Sequence, residues 1–272
     1  MADADGAPAS ESATASAGEV AIVALVAADL VSDGAQAVVL GGSVARGDAH
    51  RFSDLDMVAI GAAGGGPEYA LRVVDGRLVS VSWRTGDDVR ALIDSPADAG
   101  GAVPAWRAAR IVHDQKGWAA ALQEFARGWS WSRVDAACDE YVADATVGLA
   151  EEVLRLAGML EVGNLAAAAA MRNVLALRLP MVMAVHHRIL YDSENALWAA
   201  VDAAMGPAWT ADAAAAAGIA TVDLAAGCAA AGAMYTAAVA AARPLIGADG
   251  RAVVDLASEV AAGLRGRGPR RE

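Results

Sequence analysis

The hydrophobic pattern changes period near residue 130, and this limits the chain to a small set of folds. Before that point, short apolar runs alternate with turn residues. Ala37-Val38-Val39-Leu40 reads as a buried strand entering Gly41-Gly42, and Leu55 to Ile60 as a second strand that is apolar except for Asp56. Tyr69 to Trp83 reads as a hairpin turning at Asp75-Gly76, a favoured two-residue turn. A helix fits Glu19 to Ser32, with Gly34 as its stop signal. Further helices fit Asp87 to Ile93 and Gly117 to Ala126, on either side of a strand near Arg110 to Val112.

From about Ser132 the spacing is helical throughout. Segments Ala136 to Met159, Leu165 to His187, Asn195 to Ala204, Val222 to Ala242 and Ala252 to Leu264 read as helices, with Pro180 expected to kink or interrupt the second. The expected class is therefore α+β: an N-terminal mixed-sheet domain over 19–130, then an all-α helical bundle over 131–264. Residues 1–18 read as a disordered tail and 265–272 as a basic, frayed one.

Charge excludes one class of partner. The formal charge is −12, from 33 acids against 21 bases, and only one base, Lys116, is lysine. A general nucleic-acid binder needs a basic face, so no nucleic acid is expected. The acidity suits a cationic small molecule, and it equally suits solubility alone. Cys138 and Cys228 are far apart in apolar stretches, which points to buried thiols in a reducing cytoplasm. The N-terminus lacks the basic start and apolar core of a signal peptide. Leu224 to Ala242 is uncharged over nearly a membrane span. It is mostly Ala and Gly, however, so a buried bundle helix and no membrane are expected.

The chemistry lies in GGSVARGDAHRFSDLDM, residues 41–57. Asp54 and Asp56 are two apart on a strand, so both carboxylates project from one face, where they can share a hard cation such as Mg²⁺. Such a cation clamps phosphates and activates an attacking oxygen. Gly41 and Gly42 allow close backbone approach to a ligand. Ser43 then begins a turn or short helix whose free N–H groups can receive phosphate, and Arg46 adds charge on the next turn. An ordinary Gly-rich turn with a capping Asp would explain these residues singly, but not together. Gly64-Gly65-Gly66-Pro67 lacks the Lys and Ser/Thr of a Walker loop and reads as a plain loop.

Gly-Ser, a linker, then Asp-x-Asp resembles the signature of the polymerase-β-like nucleotidyltransferases. Ala184-Val185-His186-His187-Arg188-Ile189-Leu190-Tyr191, Leu197 to Val201, and Glu151-Glu152 followed by Ala157-Gly158 resemble the C-terminal helical domain of the kanamycin nucleotidyltransferase family. That resemblance implies transfer of a nucleoside monophosphate from a Mg-bound NTP, ATP first, to a hydroxyl of an aminoglycoside-like acceptor, by a homodimer of the antibiotic-resistance type. It further implies that Ser43 meets the triphosphate while Asp54 and Asp56 hold magnesium; Gly42 and Arg46 join that phosphate cradle on the reading of the loop itself. His186-His187 has no metal-like spacing and reads as packing or a subunit contact.

Three positions depart from the family pattern. Ser80 occupies the third-acid position, Arg155 the general-base position, and Met159 a phosphate-binding lysine position. Glu151 lies one turn before Arg155 and can stand in as base, with Arg155 supplying charge to phosphate; alternatively the two form a solvated i, i+4 pair. Two readings follow. One is a nucleotidyltransferase with an altered shell. The other is a catalytically impaired protein that binds nucleotide or a small molecule on the same scaffold.

Overall fold

A computed structural model of the chain describes residues 17–264. Expectations for residues 1–16 and 265–272 lie outside the described residues; Ala17 and Gly18 open the first helix. The chain divides into two compact units. The first takes the described residues to Ile93 and Ala102–Trp129; the second takes Asp94–Gly101 and the described residues from Ser130. The class is α+β, a mixed sheet followed by a helical region.

In the first unit, α1 (Ala17–Ser32) leads into β1 (Ala37–Leu40), a single-turn α2 (Gly42–Arg46), β2 (Leu55–Ile60), β3 (Tyr69–Val74), β4 (Arg77–Arg84) and α3 (Gly86–Ile93). The helix α4 (Ala99–Ala108) starts in the second unit. It leads to β5 (Arg110–Asp114) and α5 (Trp118–Gly128). The sheet order is β3-β4-β2-β1-β5; β2 and β4 run parallel and the other neighbours antiparallel. Asp75 and Gly76 both have positive φ, 48° and 77°, as a two-residue turn of this handedness requires.

Alternation along the strands sorts the sheet's two faces. Val38, Leu40, Leu55, Met57, Val79 and Val81 share one buried cluster with Ile22, Val26 and Leu30 of α1. Asp56 and Ser80 therefore fall on the opposite face, and Asp54 is the residue that leads into β2. The glycine run after β2 wraps an indole: a Cβ at Gly65 or Gly66 would overlap the Trp83 ring, whose Nε1 donates to the Ala62 carbonyl at 2.9 Å. That loop serves packing.

The second unit contains α6 (Asp135–Gly148), α7 (Ala150–Glu161), α8 (Leu165–His186), α9 (Glu194–Met205), α10 (Pro207–Ala216), α11 (Leu224–Ala242) and α12 (Ala248–Leu264). The expected single helix over 136–159 is two, interrupted at Leu149 just after Gly148, a residue of low helix propensity. Pro180 does not interrupt α8. It is buried between Leu179 and Val182, and core burial of that turn outweighs the lost backbone bond. Two helices, α4 and α10, stand where no helix was expected. Leu165–His186 and Leu224–Leu245 are long and apolar enough to cross a membrane. Their side chains Leu175, Leu179, Met183, Met234 and Tyr235 nevertheless fill the core of the helical unit.

The His-His-Arg-Ile-x-Tyr stretch is structural. Arg188 adopts a left-handed φ of 54°. Its guanidinium bonds Asp139 at 2.6 Å, Asp135 at 2.9 Å and the Val185 carbonyl at 2.7 Å, tying the end of α8 to the start of α6. The Tyr191 ring lies on Gly100 and Gly101, where any Cβ would crowd it, and its N–H donates to the Gly100 carbonyl at 2.9 Å. The His186 and His187 rings meet edge to face at 4.8 Å. Both cysteines are buried free thiols, and burial pushes Cys228 up to about 11.

Candidate active site

The site begins where β1 delivers the chain into α2. Gly41 donates its N–H to the Asp56 carbonyl at 2.7 Å, which locks the loop to β2. Gly42 has φ 63°, in the left-handed region, and a Cβ there would overlap Asp56 Oδ2 and sit 2.8 Å from its Cγ. Only glycine combines that backbone with a carboxylate so close. Ser43 follows on the first turn, where backbone amides lack helical partners.

Asp56 stands opposite Ser80 in the β2–β4 ladder, and Ser80 Oγ donates to Asp56 Oδ1 at 2.8 Å. Burial raises the Asp56 carboxyl above its ordinary range. The Ser80 bond opposes this, Asp54 adds to it, and Arg46 opposes it again. Asp54 and Asp56 thus feel each other's charge. Arg46 also binds Asp48, at 3.2 Å. The first unit therefore brings together Gly42, Ser43, Arg46, Asp54 and Asp56. Asp54 and Asp56 are the residues that could hold a cation; among the described residues no group of three or more His, Cys, Asp or Glu is placed to do so.

Glu151 and Arg155 belong to the helical unit, on α7. They form an ion pair at 2.6 Å with both side chains more than half exposed, and Arg155 also lies 3.7 Å from Glu152. The solvated i, i+4 arrangement is thus formed. The same unit contains an open cleft of about 590 Å³ lined by Glu140, Tyr141, Asp144, Glu151, Glu152 and Arg178 among others. Four carboxylates and the Arg178 guanidinium line it, and Arg155 lies against two of those carboxylates. Glu152 Oε2 is buried without a hydrogen-bond partner. Tyr141, Arg178 and the orphaned oxygen of Glu152 carried no sequence signal, because their convergence depends on how α6, α7 and α8 pack.

Residues 26–76 match the family model of the nucleotidyltransferase domain. The matched stretch runs from the middle of α1 through the Gly-Ser loop and both aspartates to the hairpin turn, and it ends before Ser80. No curated protein matches the chain significantly. Among solved structures, the fold is similar to a nucleotidyltransferase-like protein from Exiguobacterium sibiricum 255-15, with a TM-score of 0.50 and 9% identity. The likeness covers 81% of this chain and 76% of that one. The carboxylate pair thus sits within the stretch that matches the nucleotidyltransferase-domain model, which supports nucleotidyl transfer in general.

Proposed function

We propose that the protein transfers a nucleoside monophosphate from an NTP, ATP first, to a hydroxyl of a small cationic acceptor of the aminoglycoside kind. The observation that carries the reading is Asp56 on β2 with Asp54 just before the strand, close enough for their charges to interact, beside a Gly-Ser loop in the matched stretch. The Asp56 carboxyl is raised chiefly by burial and further by Asp54, against the Ser80 bond and the Arg46 charge, and a hard divalent cation would offset both the burial and the repulsion. Asp54 and Asp56 would hold Mg²⁺. When bound, the ion polarises the phosphoryl group and the attacking oxygen. Gly42 keeps backbone close to the phosphates, and Ser43 and Arg46 complete their cradle. The acidic cleft of the helical unit suits a polycationic acceptor. The resemblance adds a homodimer, and the two buried thiols suit the cytoplasm.

Glu151 is the proposed base. An exposed i, i+4 pair is worth only about 0.3–0.5 kcal/mol, whereas a general base contributes about 10²–10⁴-fold, or roughly 3–5 kcal/mol. Release from Arg155 is therefore affordable on that scale. Incubation with Mg²⁺ and each labelled NTP against a panel of hydroxylated amines should release pyrophosphate with at least one pair. Asp54→Asn should abolish release. Wild-type turnover that ignores Mg²⁺ would defeat the reading.

A second reading, nucleotide binding with little turnover, is favoured by Ser80. A hydroxyl, not a third carboxylate, meets Asp56. Under that reading the double variant Ser80→Glu with Arg155→Glu gains roughly 10²-fold or more in rate. No gain from a slow wild type would remove it.

A further inference from the structure

The β2–β4 ladder opens at Leu55↔Val79, and the same register carried two residues back sets Ser53 beside Arg77. Here a side chain continues the work of the backbone. Arg77 Nη2 donates to the Ser53 carbonyl at 3.0 Å, and the same nitrogen lies 2.9 Å from Glu19 Oε1 on α1. The two side chains are only 25% and 18% exposed, so the contact is largely shielded from water. Arg77 Nε is buried with no hydrogen-bond partner. Leaving a buried donor unpaired costs stability, so the side chain is not optimised for its own solvation. Ser53 immediately precedes Asp54. Other bonds of this loop are local: His50 N–H to Ser53 Oγ at 3.0 Å and Ser53 N–H to the His50 carbonyl at 2.9 Å.

We propose that Arg77 is a positioning residue: by anchoring the Ser53 carbonyl to Glu19 of α1, it fixes the backbone that aims the Asp54 carboxylate beside that of Asp56. The inference rests on the cation-binding role proposed above for that pair. Two carboxylates chelate one ion well only when both are held in place, and loosening one sacrifices the chelate. The guanidinium acting electrostatically on Asp56 is that of Arg46, so replacing Arg77 tests position more than charge.

Both Arg77 contacts run through one nitrogen. A lysine ammonium, with three donors on one nitrogen, can therefore meet both, while methionine keeps the apolar stem and neither contact. The experiment compares Mn²⁺ affinity by electron paramagnetic resonance and amide exchange at 48–54 in wild type, Arg77→Met, Arg77→Ala, Arg77→Lys and Asp54→Asn. Loss of a group that orients a metal ligand typically weakens the metal about 10–100-fold. Arg77→Met and Arg77→Ala should fall in that range and exchange faster at 48–54, with Arg77→Lys restoring both readouts at least in part. Full Mn²⁺ affinity in Arg77→Met while Asp54→Asn loses it would overturn the proposal, as would unchanged exchange at 48–54 or a lysine variant no better than methionine. A wild type that binds no Mn²⁺ would instead defeat the metal role of the carboxylates, and exchange at 48–54 then decides by itself whether Arg77 holds the loop.

Discussion

Asp56 is placed at the expense of the fold that carries it. Its carboxyl is raised from an ordinary value of 3.8, chiefly by burial. The folded state then holds the proton more tightly than the unfolded chain. Stability from this group is fully present below 3.8 and is lost as pH rises through the raised value. Asp56→Asn keeps an acceptor for Ser80 and removes the charge. It should melt higher than wild type at pH 7 and no higher at pH 3, as read by scanning calorimetry. Mg²⁺ should raise the wild-type midpoint at pH 7 and leave Asp56→Asn unmoved. Equal melting at pH 7 would show that the carboxylate is not strained by its surroundings. Gly42 tests the same spot from the backbone. Gly42→Ala puts a methyl into the Asp56 carboxylate at a φ of 63°, for a conformational cost of about 1–2 kcal/mol plus displacement of Asp56. It should lose Mg²⁺-dependent nucleotide binding by titration calorimetry while remaining folded by circular dichroism.

The helices show which local signals survive packing. Gly148 ends α6 as its low propensity suggests, yet Pro180 leaves α8 unbroken because its turn is buried in the core. The end of α8 depends on Arg188, held in a left-handed conformation by bonds to the Asp135 and Asp139 carboxylates and to three carbonyls. Hydrogen bonds to charged groups are worth about 1.5–3 kcal/mol each when partly buried. Arg188→Ala should therefore lower stability by roughly 2–4 kcal/mol in urea titration. The same unfolding slope is expected, since the helices themselves remain. A change below about 0.5 kcal/mol, the surface-substitution scale, would make the knot incidental.

At the scale of the molecule, the acid excess and the open acidic cleft belong together. Glu140, Asp144, Glu151 and Glu152 place net negative charge on the helical unit. Acceptor binding there should weaken with salt, since exposed charges are screened within about 8–10 Å at moderate ionic strength. Light scattering at micromolar protein should give twice the chain mass if the homodimer forms. A monomer would remove the interface that the resemblance implies.

Much of the fold was legible in the sequence because its signals are local. Short apolar runs gave β1 and β2, and Asp75-Gly76 gave the hairpin; the strand expected to carry both Asp54 and Asp56 begins only at Leu55. Helical periodicity gave α1, α8 and α11. The break at Leu149, the short α10 and the continuity of α8 through Pro180 were not legible, because each depends on burial against distant segments. The same holds at the site. The order of a glycine, a serine and two aspartates pointed to the stretch that the nucleotidyltransferase-domain model matches. Tertiary structure alone decided that Ser80 bonds Asp56, that Gly42 has room for no side chain beside it, and that Arg77 reaches Ser53. Each of those contacts joins residues 14 to 24 positions apart. The distance between such residues is set by the β1–β2 and β2–β4 pairings, and no local propensity encodes it.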